Sequence, residues 1–215
     1  MSVTTIVLIR HGETAWNAER RLQGHLDIAL NEEGLRQARA LGDALAGEGF
    51  DAIYASDLAR AWQTAQAVAA PHQLIVQRDA GLRERCFGGF EGLLYADIEA
   101  RFPRAFAAWQ ARDVDGAMPP GARPAETFRQ FYARCTGAIG AIARRHPGQR
   151  LALVAHGGVL ECAYRAALGL ALDTPRDFPV MNASINRFSF AHASLELVSW
   201  GEVAHLQRGV LDELS

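Results

Sequence analysis

Short apolar runs alternate along the chain with segments in which apolar positions recur every three or four residues. The runs predict buried strands, and the periodic segments predict amphipathic helices. In chain order the predicted strands are 3–9, 51–55, 74–77 and 151–155, and the predicted helices are 31–46, 57–70, 94–112 with a break near Pro103, 125–145 and 158–168. This alternation predicts the α/β class, with three layers (α/β/α) built around a mainly parallel sheet.

Two of these helices begin at residues that favour helix N-termini. Asn31 caps the predicted helix 31–46, and the face of that helix that we expect to be buried carries Leu35, Ala38, Leu41 and Leu45. Ser56 and Asp57 mark the start of the second helix, which places Arg60 one turn inside it.

The pattern changes towards the end of the chain. Residues 183–191 and 195–200 alternate between apolar and polar positions, with a turn at 192–194. They predict an antiparallel hairpin at the edge of the sheet. Several glycines fall within 79–92, which predicts an irregular loop over the strand ends.

Length and composition narrow the possible classes. A chain of 215 residues, 49% of them hydrophobic, is long enough to bury its own core. We expect one domain spanning 1–215, with a small helical cap inserted at about 85–124. The formal net charge of -2 gives no basic surface for nucleic acid. Because neither a membrane-spanning apolar run nor a signal-peptide pattern is present, we expect a cytoplasmic protein without nucleic-acid or membrane partners.

The cysteines Cys86, Cys135 and Cys162 are widely spaced and include no C-x-x-C pair. This spacing predicts neither a disulfide framework nor a zinc site. Cys162 falls in an apolar helical pattern and is expected in the core. Cys86 lies near Glu84, where either a reactive thiol or a small buried side chain is compatible with the sequence.

Histidine follows two of the predicted strands. An Arg-His-Gly sequence at 10–12 follows the first strand, and a His-Gly sequence at 156–157 follows the fourth. Ligands of open α/β sheets bind outside the carboxyl ends of the strands, so we expect both imidazoles to face one crevice. The glycines permit tight turns, and the helix start that follows favours an anion such as phosphate.

Arg60 follows the second predicted strand and Glu84 follows the third, so candidate residues follow all four. Taken singly, each has an ordinary structural explanation. Arg60 fits a solvated helix arginine, Glu84 fits an ion pair with Arg83 or Arg85, and each histidine fits a structural role. Their convergence favours a functional site, because guanidinium and imidazole groups together suit a phosphoryl group.

His11 is the better nucleophile candidate, because it lies between Arg10 and a glycine turn, and His156 is expected to bind the phosphate across the pocket. Attack by His11 on phosphorus gives a phosphohistidine that water later hydrolyses, and Glu84 is the expected proton donor to the leaving group. Since the sequence has no Walker loop, H-E-x-x-H pair or carboxylate cluster, we expect no metal and no cofactor.

Longer segments around these residues resemble the histidine phosphatase superfamily, in its phosphoglycerate-mutase-like branch. The resemblance covers nearly the whole chain and is carried by Leu8–Asn17, Leu22–Gly24, Leu30–Ala38, Ser56–Thr64, Leu82–Gly92 and Val154–Gly158. It implies a phosphohistidine at His11 and no metal or organic cofactor. The implied catalytic residues are Arg10, His11, Arg60, Glu84 and His156, and the implied substrate contacts are Asn17, Gln23 and Gly24, to which we add Gly157 at the helix start.

The sequence departs from the phosphoglycerate mutases of that family. Mutases have a tyrosine and a lysine near the acid and an arginine pair further on, whereas Phe87 and Tyr95 stand at the first two positions here and 109–112 lacks the pair. Because a mutase needs extra cations to hold a bisphosphorylated intermediate, we expect a phosphomonoester hydrolase acting on a small phosphorylated metabolite. The short segment between Glu84 and His156 also resembles small broad-specificity and α-ribazole phosphatases. A phosphoglycerate mutase, a non-catalytic phospho-ligand-binding module and a homodimer remain alternatives.

Aromatic and other large apolar residues are frequent in the predicted cap. They either surround the pocket mouth, which favours an apolar leaving group, or form the core of the cap. The residues concerned are Phe87, Phe90, Tyr95, Phe102, Phe106, Trp109 and Met118.

Overall fold

In the computed structural model, residues 2–206 and 211–212 are described. Within these residues the strands are β1 (Thr4–Arg10), β2 (Ala52–Ala55), β3 (Val76–Arg78), β4 (Arg150–Ala155), β5 (Ile185–Ala191) and β6 (Ser194–Glu202). The α-helices are α1 (Ala15–Ala18), α2 (Glu32–Leu45), α3 (Ala59–Ala69), α4 (Tyr95–Arg101), α5 (Pro103–Gln110), α6 (Phe128–Arg145) and α7 (Gly157–Leu168). Single 3-10 turns lie at 70–72, 80–82 and 88–90.

The strands form one sheet in the order β3-β2-β4-β1-β5-β6. Strands β1 to β4 run parallel, β5 is antiparallel to β1, and β6 is antiparallel to β5. The predicted three-layer α/β class with an antiparallel edge hairpin is therefore confirmed. The hairpin turns at His192 and Ala193, whose φ angles of 52° and 60° give the left-handed geometry that joins antiparallel strands tightly.

The central strands are apolar on both sides because helices cover both faces of the sheet. Ile6 and Leu8 point to one face and pack with residues of α6 and α7. Val7 and Ile9 point to the other face and pack with residues of α2 and α3. Full burial of such aliphatic side chains contributes about 1.5–3 kcal/mol each, so the strand that carries the histidine motif is firmly held.

Helix α2 buries Ala38, Leu41 and Leu45 of the expected face, but not Leu35. Leu35 is 39% exposed, whereas Gly34 and Gln37 are buried with the alanine and leucines of the same helix. Gly34 must be small, because a Cβ atom there would overlap the carbonyl oxygen of Glu13. Gln37 accepts a hydrogen bond from the Glu13 N–H at 2.8 Å, so this face of α2 supports the loop after β1.

Two predicted helix starts are wrong by two or three residues. Helix α3 begins at Ala59, after an N-cap residue whose side chain makes no capping bond, rather than at Asp57. Helix α6 begins at Phe128 rather than at residue 125, because Thr127 caps it in a reciprocal pair with Gln130.

The segment between β3 and α6 carries α4 and α5, which meet at the predicted break, with Pro103 in the first turn of α5. Leu22, Phe90 and Ile98 are buried at the centre of a separate apolar cluster. The other aromatic residues of the predicted cap pack around this centre. None of the helices in the described ranges combines the length and apolar character needed to cross a bilayer.

Candidate active site

The pairing of β1 with β4 brings the two histidines together. Arg10 and Ala155 lie opposite each other in the parallel register, so the following residues, His11 and His156, leave the sheet side by side. Their ring centroids are 5.1 Å apart and the rings meet edge to face. Both side chains are buried, as expected from their position at the carboxyl ends of covered strands.

The surroundings of His11 make it a neutral imidazole with a defined tautomer. Its Nδ1 lies 2.7 Å from the Gly12 carbonyl oxygen, which only accepts hydrogen bonds, so Nδ1 carries the proton and Nε2 carries the lone pair. The pKa of His11 is lowered well below its ordinary value, mainly by burial and to a smaller extent by the positive charges of Arg60 and Arg10. A neutral ring with a free Nε2 is the form that attacks phosphorus.

His156 is held by a serine that the sequence analysis had assigned to helix capping. Its Nε2 lies 2.8 Å from the Ser56 hydroxyl oxygen, and that oxygen also accepts the Leu58 N–H at 3.3 Å. The pKa of His156 is lowered well below its ordinary value, mainly by burial and to a smaller extent by the nearby Arg60 and His11. The His156 Nδ1 is buried and has no hydrogen-bond partner among residues 2–206 and 211–212.

Arg10 and Arg60 are both buried to about 99% and oriented by backbone carbonyls. Arg10 Nη1 donates to the carbonyl oxygen of Val180. Arg60 donates to the carbonyl oxygens of Gly24 and Leu26 at 2.8 and 2.9 Å. Gly24 has a φ of +53°, and a Cβ atom there would overlap the Glu91 carboxylate, which explains why glycine occupies this turn.

Glu84 lies on the far side of the site, on the glycine-rich loop after β3. Its carboxylate accepts the N–H of Arg85 at 2.7 Å and the N–H of Gly158, in the first turn of α7, at 3.1 Å. Arg83 forms a bidentate pair with Asp57 at 2.6 and 2.7 Å. Asp57 therefore serves as an ion-pair partner rather than as a helix cap.

A small cavity connects these groups except His156, which is fully buried beside His11 and does not line the cavity. Its wall includes Arg10, His11, Arg60 and Glu84 together with the predicted contacts Asn17, Gln23 and Gly24. Asn17 has a second role, because its Oδ1 accepts the N–H of Thr14 in the capping box of α1. Gly157 is the first residue of α7, but it is the N–H of the neighbouring Gly158 that reaches Glu84. The catalytic and binding roles of these residues remain predictions.

The cavity wall also contains residues that the sequence analysis missed. They are Trp16, Arg20, Arg21 and Asp212, with Phe87 and Tyr95 from the predicted cap. Spacing gave no signal for the first four, because Trp16 lies in the single-turn helix α1 and the other three lie outside the helices and strands named above.

A larger cavity of about 250 Å³ opens on the other side of Glu84. Three arginines line it, namely Arg85, Arg112 and Arg176. We expected no cations beyond those of the phosphate pocket, and this expectation is wrong. The additional arginines stand at positions other than those used by the mutases. Phe87, Tyr95 and Trp109 line the same cavity while packing on the cap cluster, so both expectations for the aromatic residues hold in part.

Arg85 and Arg112 are poised to bind an anion in this cavity. Arg85 Nη2 and Arg112 Nε are buried without a hydrogen-bond partner in the described part of the chain. Burial lowers the pKa of Arg85 to about 10, so its guanidinium is still charged at neutral pH. Arg112 pairs with Glu161, which also accepts a hydrogen bond from Arg165 Nε at 2.9 Å.

Cys86 is buried, and burial raises the pKa of its thiol, which contradicts a reactive thiol at this position. No group of three or more histidine, cysteine or acidic side chains within 2–206 and 211–212 is arranged to hold a metal ion.

The comparisons with known proteins identify the family of the chain. Residues 6–203 match the model of the histidine phosphatase superfamily (branch 1). The chain is 39% identical over 205 residues to phosphoglycerate mutase-like protein 4 of Arabidopsis thaliana, covering 94% of this chain and 86% of that protein. It is 37% identical over 209 residues to the metal-independent phosphoserine phosphatase of Arabidopsis thaliana, covering 95% and 84%.

A solved structure shares the whole fold. Bacillus stearothermophilus YhfR superposes with a TM-score of 0.85 at 34% identity, covering 94% of this chain and 98% of that one. The matched residues include both histidine motifs and the loop of Glu84. The chain belongs to the histidine phosphatase superfamily, branch 1.

Proposed function

We propose that this protein is a metal-independent phosphomonoester hydrolase that works through a phosphohistidine on His11. The Nε2 lone pair of His11 attacks phosphorus, the P–O ester bond breaks, and Glu84 gives its proton to the departing oxygen. Water then attacks the phosphohistidine while Glu84 takes up a proton, the P–N bond breaks, and phosphate leaves. The observation that carries the proposal is the hydrogen bond from His11 Nδ1 to the Gly12 carbonyl oxygen, which places the lone pair of the neutral ring on Nε2, in a residue that shares a cavity with Glu84.

Arg10 and Arg60 would stabilise the charge that spreads over the equatorial oxygens during transfer. Their orientation by backbone carbonyls means that little reorganisation is needed when the phosphoryl group arrives. The same positive charges keep His11 neutral, so they support the nucleophile as well as the transition state.

The leaving group is expected to be a small hydroxy acid. The cavity beyond Glu84 is where the leaving group would extend, and its unpartnered arginine N–H groups suit a carboxylate. The similarity to a phosphoserine phosphatase supports this choice. The proposed partner is thus a small phosphorylated metabolite, and a cytoplasmic location and the oligomeric state remain predictions.

The chemistry is tested with His11→Ala. The unmodified enzyme should hydrolyse p-nitrophenyl phosphate and form an acid-labile phosphoenzyme, and the variant should do neither. An unmodified protein that binds phosphate esters but never turns them over would identify a binding module instead.

The leaving-group preference is tested with phosphoserine, 3-phosphoglycerate and glycerol phosphate, whose glycerol leaving group carries no charge. Arg112→Met should raise KM for the acidic substrates about 10- to 100-fold, the loss of one or two charge-assisted hydrogen bonds, and leave glycerol phosphate unchanged. Glu161 keeps its pair with Arg165 in this variant. Arg104→Met, at an exposed position of α5, is the matched control.

A phosphoglycerate mutase is the second candidate, because the chain resembles a mutase-like protein and the larger cavity is lined by three arginines. Incubation with 3-phosphoglycerate and 2,3-bisphosphoglycerate distinguishes the two. A hydrolase releases inorganic phosphate, whereas formation of 2-phosphoglycerate faster than phosphate release would favour the mutase.

A further inference from the structure

The loop that carries Glu84 has no regular secondary structure. Residues 84–87 form neither a helix nor a strand, so no ladder of backbone hydrogen bonds fixes them. Proton transfer requires the carboxyl group to be placed within a fraction of an ångström of the leaving oxygen. Other contacts must therefore hold this backbone.

Arg134, in α6, directs its whole guanidinium group at this loop. Nη1 donates to the carbonyl oxygens of Gly81 and Arg83 at 3.0 and 2.9 Å, and Nη2 donates to the carbonyl oxygen of Glu84 at 3.0 Å. Nε and Nη2 also donate to the two carboxylate oxygens of Glu126 at 2.6 and 2.7 Å. A guanidinium has five N–H donors, and these contacts use all of them.

Glu126 continues the clamp on the other side of Glu84. Its Oε2 accepts the Cys86 N–H at 3.0 Å, its own N–H donates to the Cys86 carbonyl oxygen at 2.9 Å, and its carbonyl oxygen accepts Arg85 Nε at 2.9 Å. His25 Nε2 donates a second hydrogen bond to the Glu84 carbonyl oxygen at 2.7 Å. The backbone is thus held before, at and after the proposed proton donor.

The two side chains hold the loop without reaching the reaction. Arg134 and Glu126 are only 25% and 19% exposed, and neither belongs to the walls of the two cavities described above. Arg134 stands on an 18-residue helix whose other face is in the core, so the clamp is tied to a rigid element. Lysine cannot replace it, because three donors on one nitrogen cannot reproduce a planar fork with five.

We propose that the Arg134–Glu126 pair is a positioning device that sets the reactive geometry of Glu84. This inference rests on the proposed role of Glu84 as the proton donor. The pair acts through Glu84, so it matters most for substrates whose leaving oxygen needs a proton, and little for those with a stable leaving anion.

The experiment compares Arg134→Lys with the unmodified enzyme on phosphoserine and p-nitrophenyl phosphate. The alkoxide of serine needs a proton to leave, whereas p-nitrophenolate leaves readily without one. We expect kcat/KM, which reports the phosphorylation step alone, to fall about 10- to 100-fold for phosphoserine and less than about threefold for p-nitrophenyl phosphate. Arg129→Lys, in an exposed ion pair on the same helix, is the matched control and should change neither.

Equal losses of kcat/KM on both substrates would show that the pair has only a structural role, which would overturn the proposal. In a Glu84→Gln background, Arg134→Lys should cause no further loss on phosphoserine, and an additional loss would overturn it as well. Glu126→Gln keeps the size of the side chain and should show the same selectivity; it decides the matter if Arg134→Lys does not fold. A Glu84→Gln variant without leaving-group selectivity would instead overturn the proposed function of Glu84.

Discussion

Gly158→Ala is the most direct probe of the proton donor's position. Gly158 lies in the first turn of α7, and its N–H donates to Glu84 Oε2 at 3.1 Å. A Cβ atom at this position would come within 3.0 Å of Glu84 Oε1 and lie 2.8 Å from Cε1 of Phe131. Phe131 is 1% exposed and packed in the core, so the carboxylate is the group that moves more easily.

The size of the effect follows from the required displacement. Normal van der Waals separation demands that the Glu84 carboxylate retreat by roughly 0.5–1 Å, and a misplacement of that order costs up to about 100-fold in rate. The overlap with the Phe131 ring should also lower the free energy of unfolding by about 1–3 kcal/mol, which the gain of about 1 kcal/mol in helix propensity of alanine over glycine offsets in part.

The assay is kcat/KM for phosphoserine and p-nitrophenyl phosphate, because this ratio reports the step in which the leaving group departs, with urea unfolding as the check on stability. We expect a loss of up to about 100-fold on phosphoserine and a much smaller one on p-nitrophenyl phosphate. Gly137→Ala, in α6, adds the same methyl group where nothing lies within 4 Å, and should leave both rates unchanged. An unchanged rate on phosphoserine for Gly158→Ala would falsify the placement of the donor against α7.

Three further outcomes are expected. The pKa values of His11 and His156 lie below 6.5 in the folded protein, so protonation at lower pH favours the unfolded chain. The free energy of unfolding should therefore fall as the pH drops below about 6.5, by up to ~1.4 kcal/mol per pH unit for each residue. Urea titrations at pH 5–7.5 measure this slope, and His156→Asn should flatten it. Phe90→Ala empties the centre of the cap cluster and should cost about 3 kcal/mol, measured by the same unfolding. Cys86 and Cys162 are buried with raised pKa values, so a disulfide reagent should label them only after denaturation; labelling within minutes in the native protein would contradict their burial.

The strands, the helices and the two candidate histidines could be predicted from the sequence because local sequence patterns determine them. Apolar runs and helical periodicity located the strands and helices, and parallel strands place their carboxyl ends on one edge. His11 and His156 could therefore be paired before any coordinates were known. Helix starts were less certain, because Ser56 and Asp57 suit a cap as well as the long-range contacts that they make.

The remaining parts of the site depend on contacts between distant segments. Arg134 reaches Glu84 across 50 positions, and Arg112 reaches Glu161 across 49. No periodicity marks such pairs, since their geometry is fixed by how loops cross the ends of the sheet. Leu35 was misplaced for a related reason, because small and polar residues of α2 are buried to support the loop after β1.

The in-register pairing of β1 with β4 restricts how the length of this chain can vary. Successive strand residues point to opposite faces, so inserting or deleting one residue within either strand would turn one imidazole away from the other. Length changes are tolerable only where no register has to be kept, as in the connection between α5 and α6. Natural variants with altered substrate range should accordingly differ in the number of residues in that connection while keeping both strands at constant length.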